Sequence, residues 1–215
     1  MVSRSLIIPA TPSLPPGMQI KSRGGQFAKV CVGTRPSPQS LGTGALDFAT
    51  MWVTDCGSRD STCRAKLLNN GNDGILYLPA NNSTASAKFV IDHVAANGNN
   101  AAGIDFFTSV AAGASATGTI SNSVTSENTG DGIVLRGATQ ISIDNVTIGG
   151  NHANGIEAFG TVHVLLGRSV IATNNAVGIQ NNTSPNTFFT YQDNRINLNG
   201  GGDIAGPMNT TFAQQ

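Results

Sequence analysis

Apolar and polar positions repeat along this chain with a fixed turn between them. The pattern Asn-x-x-x-Gly-Ile occurs five times, and its glycines lie 29, 29, 23 and 23 residues apart. After each Gly-Ile step the residues alternate, which is the period of a β-strand with one buried face. Repeats of about 20 to 30 residues with short strands and a constant turn are typical of a solenoid. The five repeat glycines are Gly74, Gly103, Gly132, Gly155 and Gly178.

The alternation predicts which side chains face the core, two residues after each repeat isoleucine: Tyr77, Phe106, Leu135, Ala158 and Asn181. A second register of apolar residues is expected at Val94, Val124, Val146, Val170 and Ile196. A polar corner is expected to hydrogen-bond from coil to coil through Asp92, Asn122, Asp144, Arg168 and Asn194. The fold class is therefore all-β, a right-handed parallel β-helix of about five to six coils.

The chain divides into four segments by composition. Six of the nine prolines fall within the first 38 residues, so residues 1–45 are expected to form an irregular arm. Residues 46–66 are expected to cap the N-terminal end of the solenoid, because an open end exposes unpaired backbone. The β-helix is predicted over residues 67–204, and residues 205–215 are read as a tail. Either this tail or a homo-oligomer is expected to cover the C-terminal end.

Composition and charge narrow the possible partners. Glycine is abundant, at 26 residues, and charged residues make up only 11%, which fits a solenoid with left-handed conformations at its corners. Residues 1–66 have a charge balance of +5 and residues 67–215 one of −5. An acidic repeat body argues against a nucleic-acid groove and favours a cation or an uncharged ligand. The expected partner is a small-molecule or glycan ligand. No run is long enough for a transmembrane helix.

The cysteines and the N-terminal residues are the parts of the sequence that relate to cellular location. Cys31, Cys56 and Cys63 all precede the repeats. Cys56 and Cys63 flank a short polar loop and either form a disulfide or stay free thiols. The first residues show no secretory signal, because their apolar run is too short. An extracytoplasmic or secreted location is nevertheless expected.

Candidate chemistry lies on the outward positions of the first strand of each coil. The outward stack after the repeat isoleucines is Leu76, Asp105, Val134, Glu157 and Gln180. Two residues further lies a second stack, Leu78, Phe107, Arg136, Phe159 and Asn182. Coils are about 4.8 Å apart, so Asp105 and Glu157 should lie about 9.6 Å apart with Arg136 between them.

Two carboxylates beside a guanidinium can supply a base or nucleophile, an acid and an oxyanion donor. We predict Asp105, Arg136 and Glu157 as catalytic residues; the alternative is a solvated ladder of ion pairs. Phe107, Phe159 and His152 are predicted to bind substrate, because exposed aromatic rings beside carboxylates are typical of a ligand groove.

Calcium is the expected cofactor. Turns rich in Asp and Asn offer hard oxygen ligands, and Asp131 ends the turn that enters the Arg136 strand. Asp105, Asp131 and Glu157 are the predicted ligands, and the ion could polarise a bound carbonyl group. His93, His152 and His163 are not spaced as zinc ligands.

The Asn-x-x-x-Gly-Ile turn and segments such as residues 119–124 carry a family resemblance. Residues 67–204 resemble the right-handed β-helix repeat proteins of the pectate-lyase-like superfamily, and the end of the chain resembles small bacterial members. The resemblance implies an active site on the outer face of the first strand. It also implies activities that include calcium-dependent polysaccharide lyases and esterases that use carboxylates with Arg. The lyase and galacturonase motifs of the superfamily do not appear here.

Two kinds of function follow. The first is a calcium-assisted hydrolase of an ester, lactone or carbohydrate, with a polysaccharide lyase as a further alternative. A groove of about 20–25 Å over five coils suits a small ester or lactone at least as well as a polymer. The second is a non-catalytic surface or envelope protein that binds glycans or protein partners, because these repeats serve many functions.

Overall fold

The computed structural model describes residues 66–79, 84, 86–184 and 187–209, together with the backbone of residues 46–47, 52–53, 65 and 210–212. The expected arm over residues 1–45 and all three cysteines lie outside the described residues. The predicted repeat region, residues 67–204, is thus described almost continuously.

The described elements are nearly all short strands. In chain order they are β1 (Leu46–Asp47), β2 (Trp52–Val53), β3 (Ala65–Leu68), β4 (Ile75–Tyr77), β5 (Ser86–Asp92), β6 (Val94–Asn97), β7 (Ile104–Phe107), β8 (Ser115–Ser121), β9 (Val124–Ser126), β10 (Ile133–Arg136), β11 (Thr139–Asp144), β12 (Thr147–Gly149), β13 (Ile156–Gly160), β14 (His163–Gly167), β15 (Val170–Ala172), β16 (Ile179–Thr183), β17 (Phe188–Tyr191), β18 (Arg195–Asn197), β19 (Ile204–Ala205) and β20 (Asn209–Phe212). A single 3-10 turn, Thr108–Val110, follows β7 in the described part of the chain. No helix among the described residues is long and apolar enough to cross a membrane.

These strands form three sheets that wrap around one core. Sheet 1 has the order β1-β4-β7-β10-β13-β16-β19, sheet 2 the order β5-β8-β11-β14-β17-β20, and sheet 3 the order β2-β3-β6-β9-β12-β15-β18. Strands β3 to β20 pair with one another only in parallel, and each coil contributes one strand to each sheet. The predicted parallel β-helix is confirmed, with five complete coils from β4 to β18 and a partial one after them.

Both ends of the solenoid carry additional strands. Strands β1 and β2 pair antiparallel with β4 and β3, so the chain before the repeats touches the first coil. The domain boundaries at the N-terminus stay a prediction, because most of residues 46–64 lie outside the described part. At the other end strands continue past residue 204: β19 pairs with β16 and β20 pairs with β17. The segment expected to be a tail therefore contains strand residues.

The core follows the predicted alternation in sheet 1. The side chains of Tyr77, Phe106, Leu135, Ala158 and Asn181 are all buried, none with more than 1% exposure. The repeat isoleucines beside them are buried as well. Phe106 stacks on Phe89 of sheet 2 with ring centroids 4.3 Å apart, which ties two sheets together at the first coils.

The second apolar register is wrong by one residue at several coils. Pairing aligns Ala95 with Val124, and Thr147 with both Val124 and Val170, so Val94 and Val146 do not share a level with Val124. The side chains that stack inward on sheet 3 are Ala96, Thr125, Ile148, Ile171 and Ile196. Val94, Val124 and Val170 lie at the starts of their strands, beside the corner. Val146 precedes β12 and is buried in the core, and Ile196 lies on the inward level as predicted.

The polar corner between sheets 2 and 3 forms, with a similar offset. Asp92, Ser121 and Asp144 share one level, whereas Asn122 and Arg168 lie one residue later in left-handed conformations with φ near 49°. Coil-to-coil contacts still join them: Asn122 Nδ2 donates to Asp92 Oδ1 at 2.8 Å, and Arg168 Nε donates to Asp144 Oδ1 at 2.9 Å. The geometry of this corner therefore supports the expected structural role of its polar residues.

The repeat asparagines form a buried ladder along the whole solenoid. Each Nδ2 donates to the Oδ1 of the equivalent Asn one coil later, and that Oδ1 also accepts the backbone N–H of the donor residue. For Asn128 to Asn151 these distances are 2.9 and 3.1 Å. Because the ladder satisfies buried backbone groups at every turn, it fixes the coil spacing. Its members are Asn70, Asn99, Asn128, Asn151, Asn174 and Asn199.

The repeat glycines are required for close approach, not for a left-handed backbone. A Cβ on Gly132 would lie 2.7 Å from the Gly155 carbonyl oxygen and 2.5 Å from Ile148 Cγ2. The left-handed positions at this turn are other residues, among them Gly98, Glu127 and Gly150. The left-handed conformations expected from the glycine and asparagine content therefore occur, but at residues other than the repeat glycines.

Candidate functional site

Parallel pairing brings the predicted catalytic residues to one face of sheet 1. Asp105 of β7 aligns with Val134 of β10, which aligns with Glu157 of β13. Arg136 aligns with Phe107 on one side and Phe159 on the other. Both outward stacks therefore have the predicted order.

Asp105 is more deeply buried than an outward position suggests. Its exposure is 4%, and that of the neighbouring Val134 is 1%. Asp105 Oδ2 lies 3.2 Å from Arg136 Nη2, whereas Oδ1 has no hydrogen-bond partner among the described residues. Burial raises the pKa of Asp105 to about 7, against the opposing effect of the Arg136 charge. This carboxyl group is therefore a desolvated partner of the guanidinium.

Arg136 is held on two sides. Its guanidinium carbon lies 4.4 Å above the centre of the Phe107 ring, and its Nη2 faces Asp105. Stacking on an aromatic ring and pairing with a carboxylate leave few orientations for the planar group. About a third of the side chain stays exposed. Arg136 is thus positioned before any ligand arrives.

Glu157 is half-buried and linked to a second carboxyl group. Burial, the nearby charge of Asp131 and a side-chain hydrogen bond with Asp131 together raise its pKa to about 7. Asp131 Oδ1 also accepts the backbone N–H of Asn154 at 2.7 Å. A hydrogen bond between two carboxyl groups requires a proton on one of them, so Glu157 can hold a proton near neutral pH.

Asp73 is a fourth acidic residue in this region, which the sequence reasoning missed. Its exposure is 6%, its Oδ1 accepts the Ala102 N–H at 2.8 Å, and its charge acts on Asp105. Burial raises its pKa above the usual range. The signal was present in the sequence, because Asp73 occupies the same repeat position as Asp131, two coils earlier.

An open depression of about 500 Å³ lies on this face of the solenoid. Three of its lining residues were predicted, namely Arg136, Glu157 and Phe159. Ser109 of the 3-10 turn and two glycines complete the wall. Gly137 and Gly160 have φ of +84° and +78°, and they follow Arg136 and Phe159 at matching positions. These glycines could have been found by aligning the ends of β10 and β13. The full lining is Ser109, Arg136, Gly137, Glu157, Phe159 and Gly160.

The predicted residues fall into three groups around this depression. Arg136, Glu157 and Phe159 line it. Asp105 and Phe107 contact Arg136 and do not line the depression themselves. His152 is exposed, and it is not among the residues that line the depression.

The predicted calcium ligands do not converge. In the part of the chain that the structure describes, no three side chains of His, Cys, Asp or Glu come together in a way that could hold a metal ion. Asp105 pairs with Arg136, whereas the side chain of Asp131 lies beside that of Glu157. Calcium binding by Asp105, Asp131 and Glu157 stays a prediction.

Comparison with known proteins adds one finding. The family model described as right handed beta helix region matches residues 58–214, about three quarters of the chain. Comparison with curated proteins and with solved structures gives no match.

Proposed function

The chain belongs to the right-handed β-helix family, and on this scaffold we propose that it is a hydrolase of small ester or lactone substrates. One observation carries the proposal: Glu157, whose carboxyl group exchanges a proton near neutral pH, and the fixed guanidinium of Arg136 line the same depression. A proton-transfer group beside a preorganised cation is the minimum set for acyl transfer to water.

The proposed reaction uses Glu157 as the base and then as the acid. The Glu157 carboxylate takes a proton from water as the water oxygen attacks the acyl carbon. The carbonyl oxygen becomes an oxyanion, which the Arg136 guanidinium stabilises by donating a hydrogen bond. The tetrahedral intermediate then expels the alkoxide, and Glu157 returns the proton to it. The products are an acid and an alcohol, and Glu157 ends in its starting state.

Asp105 acts on the reaction through Arg136. It is buried outside the lining of the depression, and its carboxyl group touches the guanidinium. Together with the Phe107 ring it leaves the guanidinium few orientations. We therefore assign Asp105 as a positioning residue, instead of the catalytic acid or base that the sequence suggested.

The arrangement of carboxyl groups favours an ester over a glycosidic bond. Glycoside hydrolases need two carboxyl groups about 5 to 9.5 Å apart across the bond that breaks. Here Asp131 is hydrogen-bonded to Glu157, which leaves no room for a sugar between them, and Asp105 does not line the depression. One carboxyl group and one oxyanion donor remain, and these suffice for an ester or lactone.

Three broader expectations accompany this proposal. Calcium could balance the acidic face in addition to Arg136, and an extracytoplasmic location and a homo-oligomer would suit a secreted hydrolase. No step of the proposed reaction depends on them.

A non-catalytic glycan-binding surface is the second candidate. It is favoured by the ring of Phe159, which is 37% exposed and lines the depression, because exposed aromatic rings are common platforms for sugars. In that case the depression would bind ligand without turnover.

The test is turnover of para-nitrophenyl butyrate and of a small lactone by the purified protein. We expect hydrolysis, and a loss of about a hundredfold or more in kcat for Glu157→Gln, because general acid–base catalysis contributes about that much. The matched control is Glu127→Gln, an exposed glutamate that does not line the depression. Equal rates in Glu157→Gln and the wild type would reject the proposal, and ligand binding without turnover would favour the second candidate. Both assays are repeated in excess chelator, where the proposed reaction keeps its rate.

A further inference from the structure

One position of the repeat carries acidic residues that the fold itself does not need. Three residues after the ladder asparagine, a side-chain oxygen can accept the N–H of the equivalent residue one coil later. Asp73 accepts from Ala102 at 2.8 Å, and Asp131 accepts from Asn154 at 2.7 Å. Asn154 itself does the same, because its Oδ1 accepts from Val177 at 3.0 Å. A neutral amide therefore makes this contact as well, so the contact does not require the charges of residues 73 and 131.

These two charges enlarge an acidic excess on one face. The charges of Asp73 and Asp131 act on Asp105, and the charge of Asp131 also acts on Glu157. Among the described residues, Arg136 is the one cation that acts on Asp105 and Glu157, and it pairs directly with Asp105 alone. The other described lysines and arginines belong to sheet 2, sheet 3 or the corner between them: Lys66, Lys88, Arg168 and Arg195.

Arg136 already pairs with one carboxyl group. Its Nη2 faces Asp105 at 3.2 Å, and one face of the guanidinium is covered by the Phe107 ring at 4.4 Å. The oxyanion of the proposed reaction forms only transiently, and it needs only one hydrogen bond from the Arg136 guanidinium. A permanent carboxylate on the substrate would compete with Asp105 for the same charge.

From this geometry we infer that Asp73 and Asp131 make the depression select uncharged acyl groups over anionic ones. The inference rests on the proposed hydrolase function and specifies its substrate class. It also excludes uronates from the preferred substrates, because each carries a carboxylate close to the bond that reacts.

The kinetic test compares two esters with the same leaving group near pH 8: para-nitrophenyl butyrate and the mono-para-nitrophenyl ester of glutaric acid. We expect kcat/KM for the neutral ester to exceed that for the anionic ester by about fivefold or more, after correction for their uncatalysed rates. Asp73→Asn should reduce this ratio about twofold to threefold, because it removes one charge and keeps the acceptor for Ala102. Asp144→Asn, at the polar corner, is the matched control and should leave the ratio unchanged. A ratio near one, or one that Asp73→Asn does not alter, would overturn the inference.

A second measurement separates failure of the inference from failure of the proposed function. Paramagnetic relaxation of the amide protons of Gly137 and Gly160 is recorded with a cationic and with an anionic nitroxide of equal size. The inference predicts stronger relaxation by the cationic probe, by about threefold, and a smaller difference in Asp73→Asn. Equal relaxation by both probes would reject it. If the probes show this difference while neither ester is hydrolysed, the charge selection stands and the hydrolase proposal fails.

Discussion

Replacing the buried Asp105 by asparagine should stabilise the folded protein at alkaline pH. Asp105 is 4% exposed, and its pKa is raised to about 7 from its usual value of 3.8, mainly by burial. The folded state thus binds this proton more tightly than the unfolded chain does. Ionisation of Asp105 then opposes folding, and this cost grows as the pH rises from about 4 to about 7 and is complete above that.

The magnitude follows from these two values. Each pH unit between them corresponds to about 1.4 kcal/mol, so the cost approaches about 4 kcal/mol near pH 8. Asparagine removes the charge and keeps an oxygen that can accept from Arg136 Nη2. The lost attraction between the charges offsets part of the gain, and the partly exposed guanidinium is solvated by water. We expect a net gain of about 2 kcal/mol in the free energy of unfolding near pH 8, and almost none near pH 4.5.

Urea unfolding of both proteins at the two pH values measures this difference. Asp92→Asn is the control, because the ionisation of Asp92 stabilises the folded state instead of opposing folding. Hydrogen bonds from Ser121, Asn122 and His93 lower the pKa of Asp92 to about 2, so its stabilisation is present above about pH 4 and lost towards pH 2. Because Asp92 is largely exposed, its asparagine variant should lose less than about 1 kcal/mol near pH 8. Destabilisation of Asp105→Asn by more than about 1 kcal/mol near pH 8 would show that the ion pair outweighs the cost of burial.

Three further outcomes are expected. Asn128→Ala should lower the free energy of unfolding by about 3 kcal/mol or more in urea titrations, since it breaks the ladder and leaves buried N–H groups unpaired; a loss below about 1 kcal/mol would contradict the role of the ladder. Gly132→Ala should reduce the melting temperature strongly, whereas Gly71→Ala should not, because a Cβ meets backbone and side-chain atoms within 3 Å at the first site and nothing within 4 Å at the second; similar melting temperatures would refute the close-approach argument. Phe159→Ala should raise KM for neutral esters by about tenfold with little change in the circular dichroism spectrum, since the ring is 37% exposed on the wall of the depression; an unchanged KM would remove this residue from the binding surface.

The inward face of sheet 1 could be predicted because the Gly-Ile step marks the start of each strand. The residue two positions after Ile is buried at every coil, including the polar Asn181. The pairing of outward residues followed from the same spacing. A fixed turn and a period of two therefore determine both faces of this sheet.

The register of sheet 3 could not be predicted in the same way. Its strands span only three or four residues and lie between left-handed corners, for example Asn122 before β9 and Glu127 after it. A run this short does not reveal which residue faces inward, so Val124 looked like a core residue although Thr125 is the buried one.

The degree of burial at the candidate site could not be predicted from the sequence either. Alternation shows that Asp105 points away from the core, but not that its outer side is covered as well. That difference changes its role, because a solvated carboxylate could act as a base whereas a buried one bound to Arg136 positions its partner. Asp73 and Asp131 show the converse case, since their shared repeat position was visible in the sequence and their coil-to-coil contacts were not.

The proposed site depends on Glu157 exchanging a proton near neutral pH on the outer face of sheet 1, where Asp105 does the same. A carboxyl NMR titration of the selectively labelled protein measures both groups, with Glu157→Gln and Asp105→Asn to assign the two signals. We expect midpoints near pH 7 for both groups, and a lower midpoint for Glu157 in Asp131→Asn, because the neighbouring charge is then gone. Midpoints near pH 4 for both groups would mean that they are ordinary solvated carboxylates, and the proposed site would lose its proton-transfer group.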